Sequence, residues 1–215
     1  MEIFVFVLEI IGVAAFAFSG AVMGIRKDMD VFGVCILALT TSCGGGLLRD
    51  LLLGQLPPVM FRDPIFGLTS IATALIVFLF FSLKGNYPKS RVFDWLLIVF
   101  DSIGLGIFTV IGVSAVFDAG FGDNFFFTVF LGTITGVGGG VLRDILAQDT
   151  PYVFVKHIYA CASMLGAVVC FCLRLLVSAD LAAIVGSCVV IVIRLLAARF
   201  RWSLPKAKIT DNGDT

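Results

Sequence analysis

The chain has 215 residues, of which 60% are hydrophobic and 14% charged, and its formal net charge is zero. Soluble domains carry about 25% charged residues, so this composition excludes an ordinary soluble domain and indicates a protein that lies in a lipid bilayer. A net charge of zero gives no support for binding to nucleic acid.

Seven apolar segments are long enough to cross a membrane, which takes about 20 residues. In chain order they are predicted at 3–25, 31–53, 64–83, 92–117, 124–147, 156–177 and 180–200. Short polar connections separate them, and a polar tail follows at 204–215. The sequence therefore predicts an all-α membrane protein with a single transmembrane domain, 1–203, and a polar tail.

One motif, Gly-Gly-Gly-x-Leu-Arg-Asp, occurs twice, at 44–50 and again at 138–144. The spacing predicts two repeats of three helices, 3–83 and 92–177, with the seventh helix, 180–200, outside the duplication. Because three is an odd number, the two repeats must cross the membrane in opposite directions. Inverted repeats of this kind recur in transporters, with the functional path near the axis that relates them.

Lysine and arginine residues concentrate in the connections on one side of the predicted membrane domain. Cytoplasmic connections are enriched in these residues. The sequence therefore predicts an external N-terminus and a cytoplasmic C-terminus.

The glycine triplets lie within the second and fifth predicted spans. Each glycine inside a helix costs about 1 kcal/mol relative to alanine, so both helices are expected to bend or unwind there. The six predicted bend residues are Gly44, Gly45, Gly46, Gly138, Gly139 and Gly140. The alternative is close helix packing on faces of small residues. These faces are Ala38, Ser42 and Gly46 in one helix and Gly132, Gly136 and Gly140 in the other.

Each motif also carries an arginine followed by an aspartate, and buried charges must be paired or hydrated. A single charge at mid-membrane costs roughly 2.5–3.5 kcal/mol on insertion scales. Adjacent residues of a helix point about 100° apart, so Asp50 alone is not expected to satisfy Arg49. We predict pore-lining or gating roles for Thr41, Ser42, Arg49, Asp50, Thr135, Arg143 and Asp144. The alternative is a set of structural salt bridges between helices.

Weaker candidates are polar residues inside or at the ends of the predicted spans: Ser19, Asp101, Ser114, Lys156 and His157. Glu9 is an intramembrane carboxylate like Asp101, and either could be functional or form an interhelical hydrogen bond. Ser19 and Ser114 are expected to hydrogen-bond across the bundle. We predict no catalytic residue and no cofactor, because the glycine-rich stretches lack the context of a phosphate-binding loop. We predict no metal site, because the Cys170-x-Cys172 spacing is not that of a zinc knuckle and the single histidine lies away from it in sequence.

The doubled motif on two three-helix repeats resembles the prokaryotic members of the trimeric intracellular cation channel (TRIC) family, which is also catalogued as bacterial putative glycine transporters. The resemblance extends to about Arg201. It implies a homotrimer in the inner membrane of a bacterium or archaeon, surrounded by membrane lipid. It also implies one pore per subunit, lined by the glycine-bent second and fifth helices, that passes potassium and also sodium ions.

A second function stays open at this point: secondary transport of glycine or a similar small zwitterion. An arginine could hold the carboxylate of the substrate and an aspartate its ammonium group, so the same charges serve either model. Animal TRIC proteins place a lysine in the motif region and bind phosphoinositide lipid. Arg143 stands in the corresponding stretch here, which argues against lipid regulation of that kind.

Overall fold

The structure is a computed structural model that describes residues 2–84, 91–155 and 158–202. Within these ranges it contains nine helices: α1 (Glu2–Arg26), α2 (Val31–Leu52), α3 (Val59–Arg62), α4 (Pro64–Lys84), α5 (Arg91–Asp118), α6 (Phe125–Leu146), α7 (Tyr152–Val155), α8 (Tyr159–Arg174) and α9 (Ala179–Phe200). The predicted all-α fold is confirmed. Lys156, His157 and the tail 204–215 lie outside the described residues.

Each predicted span corresponds to one of the long helices, with ends that differ by at most three residues. Six of these helices are long and apolar enough to cross a membrane. The exception is α8, which has only 16 residues. The four-residue helices α3 and α7 are missing from the prediction, since so short a helix carries no periodic apolar pattern.

Side-chain caps fix the starts of the helices that carry the motif. The carboxylate of Asp30 accepts a hydrogen bond from the Gly33 amide at 2.7 Å. The amide oxygen of Asn124 accepts one from the Phe127 amide at 3.0 Å. Such caps satisfy one of the free backbone donors that every helix start exposes. Both α2 and α6 therefore begin at a residue that the sequence specifies.

The centre of the bundle is formed by α1, α2, α5 and α6, with α4 packed on α1 and α2, and α8 and α9 packed on α5. The rings of Phe16 and Phe108 stack at the centre with 5.4 Å between their centroids. Large apolar side chains such as Phe32, Leu79 and Val192 are more than half exposed on the outside. That surface suits contact with lipid, where apolar exposure carries no penalty.

α2 and α6 cross in direct backbone contact at the middle glycine of each triplet. A Cβ atom on Gly45 would collide with the carbonyl oxygen of Thr135, and one on Gly139 would collide with that of Thr41. The contact is reciprocal, because each motif glycine meets the threonine of the other repeat. Close packing therefore explains why no side chain fits at Gly45 and Gly139.

Neither helix is interrupted at its triplet: α2 and α6 remain α-helical throughout. Of the two expected consequences of the glycines, local unwinding is thus wrong, while bending stays a prediction. The packing energy of the crossing offsets the low helix propensity of glycine, so the backbone hydrogen bonds of the helix are retained.

Candidate functional site

The first charged cluster consists of Glu9, Arg49 and Asp50. The Nε atom of Arg49 donates to Oδ1 of Asp50 at 2.8 Å, and Asp50 Oδ2 accepts from the amide of Val59 at 2.8 Å. A terminal nitrogen of Arg49 lies 3.8 Å from the carboxylate of Glu9 on α1. The arginine side chain folds back onto its neighbour, which the angular separation of adjacent residues does not suggest. Glu9 is nevertheless the additional partner that Arg49 was expected to need.

A cavity of about 30 Å³ lies beside the first cluster and has room for a water molecule. Among the residues that line it are Glu9, Ser42, Arg49, Asp50, Phe66 and Phe108. The side chain of Glu9 is 18% exposed. The first cluster therefore reaches the surface of the helical bundle through Glu9 and has room for water beside it.

The second charged cluster consists of Ser19, Asp101, Arg143, Asp144 and Arg194. Arg143 donates from Nε to Asp144 at 2.9 Å, from Nη1 to Asp101 at 2.7 Å, and also from Nη1 to the hydroxyl of Ser19. The other carboxylate oxygen of Asp144 accepts from the amide of Tyr152 at 2.8 Å. The Arg143 side chain is 0% exposed. This cluster is sealed from water in the structure.

Arg194 on α9 joins the second cluster and is not among the residues predicted from the sequence. One of its terminal nitrogens lies 3.6 Å from Asp101 Oδ2, and its guanidinium lies 4.6 Å from the centre of the Tyr159 ring. It lies outside the duplicated motif, so the repeat gave no signal. Its position in the last third of an apolar helix could have identified it from the sequence. A charge inside the membrane has a high free-energy cost and usually faces the interior of the bundle.

The two clusters are related by the duplication. Gly20 lies against Ala38 and Thr41 as Gly112 lies against Gly132 and Thr135. This places α1 and α5 in register with a shift of 92 residues, which aligns Glu9 with Asp101. Each cluster therefore holds a motif arginine, a motif aspartate and a carboxylate from the first helix of its own repeat. The motifs are 94 residues apart, so a shift by that spacing does not align Glu9 with Asp101.

The predicted hydroxyl residues separate into two groups. The hydroxyls of Thr41 and Thr135 bond within their own helices, to Leu37 at 2.6 Å and Leu131 at 2.7 Å, and both threonines are buried at the crossing. Ser42 lines the cavity and donates to Ser70 at 2.9 Å. Their predicted lining roles stay predictions, and of the three only Ser42 lines the cavity beside the first cluster.

Both serines expected to bond across the bundle do so: Ser19 on α1 accepts from Arg143 on α6, and Ser114 on α5 accepts from Arg174 on α8 at 3.0 Å. Arg174 also pairs with Asp118 at 3.2 Å, remote in sequence from the motif.

Among the residues that the structure describes, no cluster of histidine, cysteine, aspartate and glutamate side chains could hold a metal ion. Within each cluster, arginines pair with carboxylates of the same cluster.

The family model described as glycine transporter matches the chain twice, at residues 6–82 and 98–174. Those two matches are displaced by the same 92 residues that align Glu9 with Asp101, and they leave α9 outside. The chain belongs to the TRIC, or glycine transporter, family. The duplication is thus a property of the family model as well as of the motif.

Curated relatives in this family are described as membrane proteins. The inner membrane protein YadS of Escherichia coli (strain K12) is 36% identical over 211 residues, which cover 97% of this chain and 99% of the relative. A membrane protein of Deinococcus radiodurans is 40% identical over 162 residues, or 74% of this chain and 72% of the relative.

Solved structures with the same fold are TRIC proteins. One, described as a prokaryotic TRIC channel crystallised in 0.5 M KCl, has a TM-score of 0.87 and 30% identity and covers 95% of this chain and 100% of its own. Another, from work on conductance through TRIC cation channels, has a TM-score of 0.82 and 36% identity, with 95% and 97% covered. The TRIC resemblance is confirmed, and the similarity is to channels and transporters rather than to enzymes.

Proposed function

We propose that this protein is a monovalent cation channel of the bacterial inner membrane that passes potassium and sodium ions. The observation that carries the proposal is the pair of charged clusters on α2 and α6, one beside an accessible cavity, joined through the glycine crossing. The solved relatives described as TRIC cation channels support the same function. Ions would pass along α2 and α6 near the axis that relates the repeats.

Arginine side chains in a narrow path repel cations. Carboxylates beside the arginine offset this repulsion. Glu9 and Asp50 both lie at the cavity beside Arg49, so the first cluster holds two carboxylates for one guanidinium. Rings of carboxylates are a common means by which cation channels attract their ions. The first cluster is therefore suited to receive a hydrated cation despite its arginine.

The proposed topology has seven spans in two inverted repeats plus α9, with the N-terminus outside. Ion pairs support the order of the crossings, because they join helix ends that this order puts on one side of the membrane. Arg26 pairs with Asp94 at 2.6 Å and Lys27 with Asp149 at 2.5 Å, and the topology places all four residues on the cytoplasmic side. We further propose one pore in each subunit of a homotrimer, with membrane lipid around it, as the family resemblance implies.

Substitution of Arg49 by glutamine is expected to raise the single-channel conductance for potassium about two- to fivefold, since removal of one charge about 4 Å from the path changes the ion energy by about 1 kcal/mol. Recordings of the purified protein in planar bilayers would measure it. Arg174→Gln is the matched control, because Arg174 pairs with Asp118 away from both clusters. Equal conductance of wild type and a folded Arg49→Gln variant would refute a lining role for Arg49.

Glu9→Gln is expected to lower potassium conductance by about the same two- to fivefold factor, because it removes a carboxylate from the accessible cavity. The same recordings at low and high salt give a second readout, since an electrostatic effect shrinks as ionic strength rises. Asp94→Asn, at the exposed start of α5, is the control. A loss of current independent of salt would instead indicate disturbed packing around α1.

Bilayer recording also tests the function itself. A channel gives unitary current steps whose reversal potential follows the potassium gradient. The family model described as glycine transporter makes glycine uptake the competing outcome. Saturable uptake of labelled glycine into proteoliposomes, without unitary currents, would overturn the channel proposal.

A further inference from the structure

Arg194 distinguishes the second cluster from the first. It comes from α9, which lies outside both matches to the family model, so the first cluster has no equivalent residue. Its side chain is 4% exposed and lies near Oδ2 of Asp101, whereas Arg143 bonds to Oδ1 of the same carboxylate. Asp101 is thus shared by two guanidinium groups, whereas in the part of the chain that the structure describes Glu9 pairs with one, that of Arg49.

The second arginine beside Asp101 gives the second cluster a different net charge from the first. Counted at formal charges, the first cluster has one arginine and two carboxylates and sums to −1. The second has two arginines and two carboxylates and sums to zero. Without Arg194 the two clusters would carry the same charge, as their equivalent positions in the repeats suggest.

Arg194 contributes charge more than hydrogen-bond geometry. Among the described residues, Asp101 Oδ2 and Arg194 Nε are buried and have no hydrogen-bond partner. The 3.6 Å contact between the groups is longer than a hydrogen bond, while Asp101 is held by Arg143 at 2.7 Å. The charge of Arg194 can therefore be removed without breaking the bond that positions Asp101.

We propose that Arg194 neutralises the second cluster and thereby makes the ion path electrostatically one-sided, with excess negative charge only at the first cluster. The inference rests on the channel function proposed above. A path that attracts cations at one end more than at the other passes unequal currents at equal and opposite voltages. Wild-type channels in symmetrical potassium chloride are thus expected to rectify.

Three variants separate the charge of Arg194 from its packing. Arg194→Gln gives the second cluster a charge of −1, Arg194→Lys keeps zero, and the double variant Arg194→Gln with Asp101→Asn returns it to zero without either charged group. Each is recorded as single channels in symmetrical potassium chloride at both voltage signs. Arg174→Gln is again the control, for loss of a partly buried arginine elsewhere.

Arg194→Gln is expected to raise conductance about two- to fivefold and to bring the ratio of the two currents close to one, because both clusters then carry equal charge. Arg194→Lys and the double variant are expected to rectify like wild type. Should Arg194→Gln not fold, loss of rectification in the double variant would still overturn the inference. So would a folded Arg194→Gln channel that rectifies unchanged. If wild type passes no current at all, the channel proposal fails instead.

Discussion

Gly45→Ala is expected to destabilise the protein by about 3 kcal/mol or more, because the added methyl group meets a backbone carbonyl that no rotamer change can move. The carbonyl belongs to Thr135 on α6, so the helices must separate at their crossing. Thermal unfolding of the purified protein in detergent, followed by size-exclusion chromatography, would measure the loss. Potassium conductance should fall with it, since both clusters are positioned by these helices.

The adjacent glycine provides the matched control. Among the described residues, the contact that a Cβ atom on Gly46 would make is with a terminal nitrogen of Arg49, at 4.0 Å. Gly46→Ala is therefore expected to keep or gain stability, by up to about 1 kcal/mol, through better helix propensity. Equal losses in the two variants would show that the triplet is needed for helix flexibility rather than for contact at its middle residue.

Arg143→Gln is the second change with a large expected effect, a loss of about 3–5 kcal/mol, because it removes one partner from a buried ion pair. Asp144 would lose its guanidinium, and Asp101 would keep only the longer contact to Arg194. The corresponding Arg49→Gln variant is expected to cost about 1–2 kcal/mol, since water in the cavity can replace part of the lost bonding.

The comparison of these two variants assigns the motif arginines. A large stability loss for Arg143 with a small one for Arg49 means that Arg143 braces the bundle while Arg49 faces the path. Thermal unfolding at matched protein and detergent concentrations is the measurement. Similar losses for both arginines would contradict the difference in accessibility between the two clusters.

The helices could be predicted from the sequence because long apolar runs with polar breaks have few alternative structures. α3 and α7 could not, since their positions depend on tertiary hydrogen bonds that the amides of Val59 and Tyr152 donate to Asp50 and Asp144. The motif residues of the site were also predictable, because charges and glycines in an apolar segment conflict with their surroundings.

The remainder of the site depends on register and tertiary contact. The alignment of Glu9 with Asp101 uses a shift of 92 residues, while the motif suggests 94, so a single offset misses it. Arg194 belongs to no repeat, and only the packing of α9 on α5 brings it to Asp101. The expected unwinding at the glycines was wrong because propensity describes an isolated helix, whereas here each triplet packs against another backbone.

The reciprocal contact of Gly45 with Thr135 and Gly139 with Thr41 is self-complementary, as an isologous interface between two copies of one subunit is. In a dimer of separate chains every substitution appears on both sides at once. Joined in one chain, the two halves can accept substitutions independently. A position such as Arg194 can then act on one half alone, and the molecule can acquire a direction that a symmetric assembly cannot have.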